Sequence, residues 1–190
     1  MINEIIVTDL SDAERYSFNP NNKNYDVWIS TVDRDDTRKI NRMRTNFDNK
    51  GVRYCSQFFY DWSDEDGDQW KHLETEGPQL HHIQNIISFL KPVVEDNKLH
   101  NVGINCFAGI SRSTAVAIIA LVMSGKTIDD ALDYVLAIRP EAWPNLRILG
   151  FASQILKKDI KNCVVRWKQN CLNSSEIFTM PDRKRTLGLD

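Results

Sequence analysis

Short apolar bursts alternate along the chain with longer apolar stripes, and the two patterns predict different elements. Ile5-Ile6-Val7 reads as a first short strand, and Ser11 with Glu14 opens a turn or short helix. Tyr25 to Ser30 (YDVWIS) is a second strand, followed by a charged connection through Arg34-Asp35-Asp36. Val52 to Tyr60 is aromatic and β-prone, a third strand that runs into the acidic stretch DWSDEDGDQW. From Pro78 to Glu95 the apolar positions Leu80, Ile83, Ile86, Ile87, Leu90, Val93 and Val94 form a helical stripe. Pro78 suits its first turn, and Pro92 is expected to kink its end. Val102 to Ile104 is a short, buried strand. Ser113 to Met123 is apolar all round and therefore a central helix. Thr127 with Asp129 and Asp130 starts a helix that ends at Arg139-Pro140, and Asn145 to about Asn170 reads as one last helix. Asn19-Pro20-Asn21-Asn22 is a loop by composition, and the tail from Ser174 reads as frayed. Strands alternating with helices predict an α/β fold, with a central, mostly parallel sheet flanked by helices. The expected organisation is one domain over residues 1–160, with a helix end and tail over 161–190.

Composition adds little to this picture. At 190 residues the chain can bury a core without staples. A formal charge of −2 gives no argument for a nucleic-acid partner or a membrane surface. No apolar run reaches the roughly 18 residues of a membrane span, and Met1-Ile2-Asn3-Glu4 does not begin a signal peptide. Cys55, Cys106, Cys163 and Cys171 are too scattered for a disulfide framework, and neither they nor the histidines have zinc-ligand spacing. A cytoplasmic protein with reduced thiols and no metal or other cofactor is expected.

The chemistry concentrates between Val102 and Gly125, VGINCFAGISRSTAVAIIALVMSG. A loop leaving a strand and entering a helix places unpaired N–H groups at the positive end of the helix dipole. Ala108, Gly109 and Ser111 let its backbone curl, and such a nest binds a phosphate-like dianion. Arg112 at its end can grip two oxygens of that anion. A free thiol titrates near 8.5, but beside cations at a helix N-terminus the range falls to roughly 3.5–7.5. Cys106 is thus placed as a nucleophile toward phosphorus, with the Ser113 hydroxyl able to assist the sulfur when it leaves.

The run NCFAGISRST resembles the signature His-Cys-x-x-Gly-x-x-Arg-Ser/Thr of the cysteine-dependent protein tyrosine phosphatases. Its Ala-Gly-Ile-Ser-Arg-Ser wording is similar to the compact dual-specificity branch and its bacterial relatives. The likeness extends loosely over residues 1 to about 160, through VWIS, an aspartate-bearing loop after the third strand, and RPEAWPNLRILGFASQIL. It implies a phosphatase domain, a nucleophile at Cys106, and phosphate binding by Phe107, Ala108, Gly109, Ile110, Ser111 and Arg112. It also implies a thiolate-assisting hydroxyl at Ser113. One position departs: the family has His where this chain has Asn105, which can brace the loop but cannot carry charge.

The leaving group needs a proton and the later water a base, and one carboxylic acid can serve both. The acidic loop offers Asp61, Asp64, Asp66 and Asp68. By the resemblance the acid follows the strand directly, beside a hydrophobic residue. Asp61-Trp62 fits best and Asp64 second. Trp62 or Trp70 would form a lid or sit in the core. Cys55 is either a resolving thiol or a half-buried strand cysteine, and His81-His82 is expected to be solvated. Asn145 either supports the phosphate loop or only caps a helix.

The expected activity is hydrolysis of phosphomonoesters on phosphoproteins, at phosphotyrosine and also phosphoserine or phosphothreonine, through a phosphocysteine. A second reading is a weak pseudophosphatase that binds phosphorylated partners. A third is an RNA or phosphoinositide phosphatase, for which the loop lacks extra lysines. Sulfur transfer does not call for the Arg-Ser ending, and arsenate reduction wants relay cysteines. The substrate and oligomeric state stay open.

Overall fold

The computed structural model of the protein describes residues 1–19, 25–65 and 75–173. The strands are β1 (Ile2–Thr8), β2 (Val27–Val32), β3 (Arg53–Phe58) and β4 (His100–Asn105). The helices are α1 (Leu10–Phe18), α2 (Thr37–Asn49), α3 (Leu80–Glu95), α4 (Arg112–Met123), α5 (Ile128–Ile138), α6 (Leu146–Leu156) and α7 (Ile160–Asn173). Among the described residues the sheet has the order β1-β4-β2-β3 and every pairing is parallel. All six residues of β2 are buried, as expected of a parallel strand covered on both faces.

Alternation along the strands divides the core in two. Ile5, Val27, Ile29, Val102 and Ile104 face a cluster built with α3, α4, α5, α6 and α7. On the other face Trp28 packs with Ile40, Met43 and Phe47 of α2 and Leu10 and Ala13 of α1. The Trp28 ring stacks on Phe47 at 4.8 Å and lies across Gly103, where a Cβ would come within 2.1 Å of it. Only glycine there lets the indole lie flat over β4 and reach the strand's far end. Helix α4 is buried from Arg112 to Val122, in keeping with its apolar sequence.

Three features differ from the pattern-based expectation. The charged connection after β2 contains a 3-10 turn (Arg34–Asp36) and then α2, whose apolar stripe is only Ile40, Met43 and Phe47 in an otherwise polar run. The stretch from Asn145 to Asn170 is two helices, because Lys157 adopts a left-handed conformation (φ 53°) that ends α6. Helix α3 ends at Glu95 as expected, but it starts at Leu80 with Gln79 as its cap, so Pro78 precedes its first turn. Pro20, Asp66, Asp68, Trp70 and the tail from Ser174 lie outside the described residues. No described helix is long and apolar enough to cross a membrane.

Candidate active site

The loop from β4 to α4 is held from outside by its carbonyls. Phe107 O accepts the Leu10 N–H (3.1 Å), and Ala108 O and Gly109 O accept the Arg139 guanidinium (3.0 and 3.2 Å). Ile110 O accepts the Trp143 N–H (2.9 Å) and the Thr114 hydroxyl, and Ser111 O accepts the Asn145 N–H (3.2 Å). A trans peptide is planar, so a carbonyl turned outward turns the next N–H inward. The amides of Ala108, Gly109, Ile110, Ser111 and Arg112 are therefore turned away from these outer contacts, toward the inside of the loop. The Gly109 N–H reaches Cys106 Sγ at 3.2 Å, and the sulfur, on a residue only 1% exposed, lies 3.2 Å from Ser113 Oγ. Gly109 has φ 74°, and a Cβ there would approach the Thr8 backbone to 2.8 Å. No other residue fits. Phe107 stands exposed at the rim.

Arg112 is 2% exposed and opens α4. One terminal nitrogen donates to Asp33 Oδ1 and to Phe59 O, both at 2.7 Å. Its Nε is buried, has no hydrogen-bond acceptor among the described residues, and lies 3.7 Å from Asp61 Oδ2. Burial opposes the guanidinium charge, but Asp61, Cys106 and Asp33 outweigh it and hold the pKa above its ordinary value. Asp33 and Arg139 are the partners that sequence reasoning missed. Asp33 was one carboxylate among several in a charged connection, and Arg139 only a helix end.

The structure separates the candidate acids. Asp61 sits against the loop, its Oδ1 accepting the Ser111 hydroxyl (2.8 Å) and Asn145 Nδ2 (2.9 Å). Asp64 turns away to Arg147 (3.4 Å) and Lys161 (2.6 Å). Asn145 both caps α6, accepting the Arg147 and Ile148 N–H groups at 3.1 Å, and touches the site. Its Nδ2 also donates to Trp62 O at 3.0 Å. Trp62 is buried beneath the Arg147 guanidinium, 4.6 Å from its ring centroid.

Asn105 is fully buried behind Cys106. Its Oδ1 accepts Trp28 Nε1 (2.9 Å) and the Ser30 hydroxyl (2.7 Å), which itself accepts the Tyr54 hydroxyl (2.8 Å). Burial raises the Tyr54 pKa, so this phenol stays a donor. An indole can only donate, which fixes the orientation of the amide and turns Nδ2 toward Cys106 O at 3.4 Å. The pocket is built for an acceptor. A neutral imidazole offers one acceptor nitrogen and an imidazolium none, so Asn105→His leaves a buried donor unpaired, at a cost of about 1–3 kcal/mol. Thermal unfolding is expected to show that loss, with no gain in turnover. An equally stable, faster variant would refute the acceptor pocket.

The remaining candidates are placed simply. Cys55 is half-buried in β3, where burial raises its pKa, and the cysteines form no disulfide among the described residues. His81 is exposed, but His82 is not the solvated residue expected. It stacks on Phe59 at 4.9 Å and accepts the Gln79 N–H, and burial lowers its pKa to about 4.

Neither a protein-family model nor a curated protein matches the sequence. Solved structures of cysteine-based phosphatases do match the fold. Tk-PTP in its active form is 15% identical, with a TM-score of 0.52 over 80% of this chain and 90% of that one. A point variant of human DUSP28 is 16% identical, with a TM-score of 0.53 over 80% and 91%. PTPMT1 is 15% identical, with a TM-score of 0.51 over 88% and 95%. The chain is an α/β protein with the fold of these phosphatases.

Proposed function

We propose that this protein hydrolyses phosphomonoesters on phosphoproteins, at phosphotyrosine and also phosphoserine or phosphothreonine, through a phosphocysteine. The observation that carries the reading is Cys106 Sγ, which accepts the Gly109 N–H in the loop that leads into Arg112, with Asp61 against that loop at Ser111 and 3.7 Å from Arg112 Nε. The amides and the Arg112 Nε, which makes no hydrogen bond among the described residues, supply donors to the nonbridging oxygens of a phosphoryl group. The Cys106 thiolate attacks phosphorus, the P–O bond breaks, and Asp61 delivers a proton to the departing oxygen. Water then attacks the phosphocysteine and gives a proton to Asp61. The S–P bond breaks with its electron pair returning to sulfur, which the Ser113 hydroxyl, 3.2 Å away, stabilises. The cytoplasm, where thiols stay reduced, is the setting this chemistry requires.

Asn105 favours one rival, a pseudophosphatase that binds phosphorylated partners without turning them over. An aryl phosphate separates the two. Turnover blocked by vanadate and by alkylation of Cys106, and unaffected by EDTA, is expected. Phosphopeptide binding without turnover would establish the rival.

A further inference from the structure

We infer that α7 belongs to the catalytic apparatus, with Lys168 and Lys161 as positioning residues that hold the loop carrying Asp61 in its working place. This rests on the proposed phosphatase reading. The segment from Asp61 to Glu65 has no helix or strand of its own and is fixed by what it touches. Its near end is tied by Asn145, which reaches Asp61 and Trp62 O, and by Ser63 Oγ, which accepts the Leu146 N–H at 3.3 Å. Its far end is tied by α7. Lys161 Nζ lies 2.6 Å from Asp64 Oδ2, and Lys168 Nζ pairs with the Glu65 carboxylate.

Lys168 is the informative residue, because its side chain is only 3% exposed. An ammonium taken out of water is unfavourable unless a counter-charge and polarisable groups replace the solvent. Glu65 supplies the charge, and the Trp143 ring, its centroid 4.5 Å from Nζ, supplies the second contact. Trp143 is also the residue whose N–H holds Ile110 O in the phosphate loop. This buried ammonium thus bridges the loop bearing the proposed acid and the residue that braces the proposed phosphate cradle. Helix α7 brings it there by packing Ile160 and Val164 into the main core. Lys168 touches no reacting atom and acts through Glu65 and Trp143.

Misplacing a reacting group by about 1 Å can cost about 10²-fold in rate, and here the misplaced group is the proton donor. The test compares phenyl phosphate, whose leaving group needs a proton, with 2,4-dinitrophenyl phosphate, whose leaving group does not. In the full chain, Lys168→Met and Glu65→Gln are each expected to lower kcat on phenyl phosphate by roughly 10- to 100-fold. The dinitrophenyl ester should be little affected, and KM should be unchanged for both. The double variant should be no worse than either single one. Lys161→Met removes a half-exposed partner and should produce a smaller effect of the same kind, so the idea stays testable if Lys168→Met fails to fold. Equal losses on both esters, or no loss on either, would make α7 merely structural. Absence of turnover in the unmodified protein would overturn the phosphatase reading itself.

Discussion

Cys106→Ser is expected to abolish turnover while leaving phosphate binding intact. The proposed phosphate loop is shaped by outward carbonyl contacts to Leu10, Arg139, Trp143 and Asn145, none of which involves the Cys106 side chain. A serine hydroxyl can take the place of Sγ beside the Gly109 N–H and Ser113 Oγ, each 3.2 Å from the sulfur, so the inward amides and Arg112 stay in position. A hydroxyl, however, is not ionised at neutral pH, and in the proposed mechanism Asp61 serves as the acid rather than as a base for it. Removing a covalent nucleophile costs on the order of 10⁶ in kcat. Steady-state kinetics on an aryl phosphate, with calorimetric titration of a phosphopeptide, measures both halves of the expectation. Retained turnover would end the covalent mechanism.

Asp61→Asn is the second large effect, expected to lower turnover roughly 10²–10⁴-fold. The substitution is nearly isosteric and keeps an acceptor for Ser111 Oγ and Asn145 Nδ2, at 2.8 and 2.9 Å from Asp61 Oδ1, so the loop should not collapse. What is lost is the transferable proton. The loss should therefore be steep for alkyl and phenyl phosphates and slight for activated aryl esters. Comparing kcat across leaving groups checks this. A loss of that size in Asp64→Asn, with Asp61→Asn still active, would transfer the role three residues along the loop. The contacts make Asp61 the stronger assignment, because it touches Ser111 of the loop between β4 and α4 while Asp64 is engaged by Arg147 and Lys161.

The sequence by itself determined the α/β class, the core identity of the helix from Arg112 and the placing of a thiol, a glycine and a guanidinium around one loop. Those are local properties. Apolar period selects strand or helix within a few residues, and Cys106, Gly109 and Arg112 sit on one continuous turn of chain. Helix α2 was hidden because three apolar residues suffice when Trp28 covers them, a contact invisible in a polar run. The break at Lys157 was hidden because a lysine with positive φ carries no compositional signal. Only the tertiary structure decided which carboxylate faces the loop, since DWSDEDGDQW reads as a uniform acidic stretch until Asn145 and Ser111 select Asp61. It alone brought Asp33 to Arg112 and Arg139 to the loop carbonyls. It alone turned Asn105 from a missing histidine into an acceptor matched to Trp28 and Ser30. Each of these depends on where strands far apart in the chain end within the sheet. Side-chain hydrogen bonds read distance and direction, and a linear pattern contains neither.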